Sequence, residues 1–235
     1  MMYRLTLALR GCGVLLLCVS MVGRAASSAP PTWTSSFVTR VEALAVLQSL
    51  NADLLSHDSA TLTLERWCDA HKLASPAKIT ALRVLEGDKV PTPEQRAELG
   101  VSATEPVRYR RVKLACGAAV LSEADNWYVP ARLTPEMNRQ LDSSDTPFGL
   151  VVRSLHFQRH TLSSRLLWLP LPAGWEMSGA DRVGEGGGGR GAADEALPSK
   201  LLEHRAVLTL PDGTPFSEVI ETYTDQVLAF PVISP

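Results

Sequence analysis

In two places along the chain an alternating apolar and polar run turns tightly back on a second such run, and tight turns of this kind join antiparallel strands. Val107–Ala115 and Ala119–Tyr128 flank Cys116-Gly117-Ala118, while His204–Leu210 and Phe216–Thr224 flank Pro211-Asp212-Gly213-Thr214. Two more strands are expected at Ile79–Glu86, stopped by Gly87, and at His156–Leu169. Helical spacing dominates earlier in the chain. Ser36–Ser56 carries Phe37, Val41, Leu44, Leu47, Leu50, Leu54 and Leu55, and a second helix runs from Ser59 as N-cap through Leu62, Leu64, Trp67 and Cys68 to about His71. Thr134-Pro135-Glu136 starts a helix that carries Met137 and Leu141. Pro147–Leu155 reads as another short helix, and Val90–Thr104 as a loop or short helix. Helices first and then mostly antiparallel strands imply one α+β domain.

With 45% apolar and 20% charged residues in 235, the chain can bury a sizeable core. A net charge of −2 leaves no electrostatic footprint for nucleic acid. Residues 1–29 read as an export signal: Arg4 and Arg10, the apolar run Gly11–Val22, then small residues from Ala25 to Ala29. That run is too short for a bilayer core of about 30 Å, which takes roughly 20 residues, so no stable membrane span is expected once the signal is gone. The expectation is an exported, periplasmic protein, or a cytoplasmic one if the segment is not a true signal. A linker at 30–35 leads into a domain at 36–235, and the domain holds a flexible glycine-rich insertion at about 176–199. Gly186-Gly187-Gly188-Gly189 lacks the flanking strand, helix and Lys-Ser/Thr of a phosphate cradle. Cys12 and Cys18 leave with the signal; Cys68 and Cys116 form a disulfide or stay as buried thiols. No residue spacing suits a metal, no cofactor is expected, and the reading is of a monomer.

The candidate chemistry rests on few residues. Strand alternation puts Arg110, Val112 and Leu114 on one face, with Tyr109, Arg111 and Lys113 on the other. A guanidinium on an apolar face suits capture of a carboxylate; the alternatives are pairing with a neighbouring acid, snorkelling at the sheet edge, or Arg111 in its place. Glu221 shares a face with Ser217, Val219 and Tyr223, where a half-buried carboxyl can hold or pass a proton; Glu218, its rival, is expected to face water. Thr146-Pro147-Phe148-Gly149 leads into a helix, with Phe148 as an apolar wall and Gly149 permitting close approach. Arg159 could add a second positive charge. His57, His71, His156, His160 and His204 stand at no useful spacing from a nucleophile.

Taken in order, several of these stretches resemble the chorismate lyase family. Asp58-Ser59-Ala60-Thr61 is similar to that family's start of its second helix, and Arg110-Arg111-Val112-Lys113-Leu114 to its Arg-x-Val-x-Leu strand. Val129-Pro130, Thr146-Pro147-Phe148-Gly149, Arg159, Asp212-Gly213-Thr214-Pro215 and Glu221-Thr222-Tyr223 follow in the family's order. The resemblance implies a six-stranded antiparallel sheet with flanking helices around an enclosed ligand cavity. It further implies cofactor-free elimination of pyruvate from chorismate to give 4-hydroxybenzoate, a step of ubiquinone biosynthesis. In that scheme Arg110 holds the ring carboxylate, Glu221 serves the proton transfer, and Phe148, Gly149 and Arg159 line the substrate. Ala60 stands where some members place a methionine, and one extra residue between Pro215 and Glu221 calls for a bulge or for Glu218. The same fold serves bacterial regulators as a small-molecule-sensing domain, but no helix-turn-helix is read ahead of it here. The second expectation, motivated by the signal-like N-terminus and by Ala60 and Phe148 in place of the family's residues, is an exported, non-catalytic protein that binds an aromatic acid.

Overall fold

A computed structural model describes residues 33–34, 36–85, 87–177 and 196–230. The expected signal segment, most of the linker and most of the glycine-rich insertion lie outside these residues. Ser36 caps helix α1 (Phe37–Leu55) through a reciprocal capping box with Thr39, and Ser59 caps α2 (Ala60–Ala70). Leu47, Leu50 and Leu54 recur at helical spacing and are fully buried, each contributing roughly 1.5–3 kcal/mol through burial.

The strands β1 (Ile79–Val84), β2 (Arg108–Cys116), β3 (Ala119–Tyr128), β4 (Gln158–Leu166), β5 (Lys200–Thr209) and β6 (Pro215–Thr224) form one antiparallel sheet. Its order is β1-β2-β3-β6-β5-β4, so the two hairpins sit side by side at the centre. This is the expected α+β domain with a six-stranded antiparallel sheet. Short helices α3 (Pro93–Glu98), α4 (Pro135–Ser143) and α5 (Phe148–Val151) complete it, with Thr92 and Thr134 as caps of α3 and α4. Helices α1 and α2 pack on Val112, Leu114, Ala124, Val219 and Tyr223 of the sheet. Phe148, Phe157 and Phe216 gather with Met137 and Leu141 in a second cluster. On the far face Leu99 packs with Trp127 and Val129 beside Tyr109 and Ile220.

Three elements differ from the sequence expectation by more than two residues or by division. β5 begins four residues early because adjacent Leu201 and Leu202 are both buried and a register irregularity between Lys200 and Leu202 hides the alternation. β4 is shorter than His156–Leu169 because His156 adopts a left-handed conformation at φ 51° that ends the turn before it. Pro147–Leu155 divides into α5 and a separate 3₁₀ turn at Arg153–Leu155. The two open cysteine readings resolve into one: Cys68 at the end of α2 is disulfide-bonded to Cys116 at the end of β2.

Candidate functional site

Between the start of α2, the start of α5 and the sheet lies a small hollow of about 50 Å³, or about 500 Å³ when the open solvent at its mouth is counted. Val112, Leu114, Ala124, Val219, Phe148 and Phe157 make its walls mostly apolar. Arg110, Arg159, Glu221, Phe148 and Gly149, which are far apart in the chain, all line it. Ala60 is there too, as are Asp58, Ser59 and Thr61 of the second-helix motif.

Arg110 is only 6% exposed and sits on the apolar face that alternation assigns to it. Its partners are main-chain carbonyls: Nε donates to Leu141 O at 3.2 Å, and Nη2 to Ser144 O at 3.4 Å and Thr146 O at 3.2 Å. Among the described residues no carboxylate lies in ion-pair contact with it, so the alternative of pairing with a neighbouring acid is not what the fold does. Desolvation, reinforced by the charge of Arg83, lowers the guanidinium to about 10, where it still carries its proton at neutral pH. Arg111 points away and pairs with Glu123 at 3.4 Å and with Asp125 at 3.8 Å.

Glu221 is 5% exposed. Its Oε2 accepts from Arg159 Nη2 at 2.6 Å and from the Tyr223 hydroxyl at 3.1 Å. Among the described residues no donor reaches Oε1. Arg159 is therefore not a free second charge: it reaches over β5 to neutralise Glu221, while its main-chain N–H donates to Asp58 Oδ1 at 2.8 Å. Burial by itself would lower the Arg159 guanidinium, but Glu221 and then Tyr223 outweigh it and the net shift is upward. Its Nε is buried without a partner. Burial, and then the negative charge of Glu221, drive the Tyr223 phenol well above its ordinary range.

The expectation that Glu218 faces water is corrected. It is fully buried on the opposite face, where Oε1 accepts from Arg205 Nε at 2.8 Å and from Gln95 at 3.3 Å. Gly149 has the close approach expected of it: a Cβ there would lie 3.3 Å from Ser59 Oγ and 3.6 Å from Thr61 Oγ1. Sequence reasoning missed Phe157 and the Tyr223 donor; the only signal for the latter is its place two residues beyond Glu221 on the same strand face. Among the described residues no group of acids, cysteines or histidines could hold a metal ion, and no helix is long and apolar enough to cross a membrane.

No family model matches the chain. It is 55% identical over 205 residues to the uncharacterized protein y4mC of Sinorhizobium fredii, an alignment spanning 87% of this chain and 84% of that one. Among solved structures it is similar to PhnF from Mycobacterium smegmatis, with a TM-score of 0.45 at 14% identity over 76% of this chain and 69% of that one. The effector domain of the same protein gives a TM-score of 0.44 at 15% identity, over 71% and 88%. The ligand-binding domain of a protein assigned to the GntR-family transcriptional regulators, from Bordetella bronchiseptica, gives 0.40 at 16%, over 64% and 87%. These findings correct the resemblance stated from sequence. The solved structures named here are PhnF, its effector domain and the ligand-binding domain of a GntR-family regulator, none of them a chorismate lyase, so lyase activity and a place in ubiquinone biosynthesis are not carried over. Nor do they support the expected signal peptide, whose residues 1–29 lie outside those described.

Proposed function

We propose that this chain, which belongs to the same family as y4mC, is a ligand-binding domain whose hollow takes a small molecule bearing a carboxylate on an apolar body. The observation that carries this reading is Arg110: a buried guanidinium that lines the hollow, donates to carbonyls and, among the described residues, has no carboxylate in ion-pair contact, Asp142 and Asp145 acting on it only from a distance. A buried charge left uncompensated is costly, and an incoming carboxylate relieves that cost through charge-assisted hydrogen bonds. Glu221 cannot play this part because Arg159 already neutralises it. Phe148 and Phe157 offer ring faces to an aromatic body. The Cys68–Cys116 bridge supports an oxidising compartment as the place of action.

Thermal unfolding with benzoate as the probe, and benzyl alcohol as its uncharged counterpart, tests the binding. Benzoate at ten times its dissociation constant should stabilise the fold by about 1.4 kcal/mol, and benzyl alcohol by far less. Arg110→Met should weaken benzoate about tenfold or more. Equal binding of benzoate by wild type and Arg110→Met, or no stabilisation of the wild type by benzoate, would overturn the reading.

A further inference from the structure

We propose that His204 is a positioning residue for the pocket carboxylate of Glu221, acting through Tyr223 and held from behind by Asn51. His204 stands directly opposite Glu221 in the β5–β6 register and is fully buried, yet it does not line the hollow. Its ring meets Tyr223 edge-on, at 5.5 Å between centroids and 76° between planes. Tyr223 in turn places its hydroxyl on Glu221 Oε2. The location of one of the two donors on that oxygen thus depends on where the imidazole sits.

The imidazole is anchored from α1. Nε2 lies 2.7 Å from Asn51 Oδ1 and 3.1 Å from Ser164 Oγ. Asn51 Nδ2 donates to Gln48 Oε1, which orients the amide, and Ser164 donates to the same Asn51 oxygen at 2.8 Å. An amide oxygen only accepts, so the proton of His204 is on Nε2 and Nδ1 is a bare acceptor. Nδ1 is buried with no partner. The charged groups facing the ring are Glu221 on β6 and Arg159 on β4, together with the Tyr223 phenol; α1 presents the neutral Asn51. A proton on Nδ1 would put a second cation beside Arg159, in competition for Glu221. Burial, opposed by Glu221 and aided by Arg159, lowers the imidazole to about 4 and keeps it neutral. Neutral His204 leaves Arg159 and Tyr223 as the donors on Oε2, with Oε1 uncommitted.

The test is carbon and nitrogen NMR on the full chain, following the Glu221 side-chain carboxyl and the His204 ring through a pH titration. In wild type the ring should show the Nε2–H tautomer and stay neutral between about pH 5 and 8. Asn51→Asp sets a carboxylate against Nε2 and should raise the ring midpoint by about one to three pH units. The Glu221 signal should step at that same midpoint. Asn51→Ala, which frees the ring without adding charge, is read alongside it and should also displace the Glu221 signal, so a poorly folding Asn51→Asp does not end the test. A ring that titrates upward while Glu221 stays unmoved overturns the proposal, as does a wild-type ring protonated on Nδ1. Neither measurement uses benzoate, so failure of the ligand reading and failure of this one are separable.

Discussion

Glu218 and Glu221 are three residues apart on β6, and each meets an arginine inside the protein, but the two pairs do different work. On the far face Arg205 bonds Glu218 at 2.8 Å, Glu98 at 2.7 Å and Glu94 at 3.1 Å, while Gln95 adds a donor to Glu218. Every one of those partners except Arg205 comes from α3 or β6, so the cluster braces a helix to the sheet. On the near face Arg159 and Tyr223 both bond one oxygen of Glu221, the other oxygen meets no donor among the described residues, and the pair opens on a hollow shared with Arg110. The same chemical pair is a brace where a helix closes over it and a site wall where the covering elements stop short.

Breaking the brace should have the largest effect. Arg205→Met strands Glu218 in the interior, and denaturant unfolding should show a loss of about 3–5 kcal/mol while benzoate affinity of the folded protein is unchanged. A comparable loss, about 4 kcal/mol, is expected when the Cys68–Cys116 bridge is removed by paired alanine substitution, because the bridge closes a long loop of the unfolded chain. Alkylation of both cysteines in unreduced protein would refute the bridge and the oxidising compartment together. Acid should come next. His204 is lowered from 6.5 to about 4 by burial, so the unfolded chain binds a proton that the folded one refuses. Stability from this group is full above about pH 6.5 and falls as pH drops toward 4, by up to about 3 kcal/mol, and His204→Phe should flatten that part of the curve. Arg110→Met should give the smallest stability change, about 1 kcal/mol, since relief of a desolvated charge offsets the lost carbonyl bonds. If it proves as damaging as Arg205→Met, Arg110 is a brace as well and the contrast between the faces disappears.

The alternation through Arg110, Val112 and Leu114 placed the guanidinium on the correct face before any fold was known, because strand periodicity depends on local backbone geometry alone. The caps Ser59 and Thr134 were legible for the same reason. Glu218 was misjudged because its alternation is right but both faces of β6 are covered there, and coverage by α3 is not a local property. His204 and Asn51, separated by 153 residues, carry no spacing signal for their contact. The family resemblance read from short motifs did not hold, since each motif is also what an ordinary strand, cap or turn requires.

The sequence by itself determined the class of fold, the two central hairpins, the helix starts and the face on which each charged strand residue lies. Those follow from interactions within a few residues along the chain. Only the tertiary structure decided that Arg159 spends its charge on Glu221 while Arg110 keeps its own. Which charges meet depends on strand order and on the depth of the space above the sheet, and both are set by packing between segments distant in the chain.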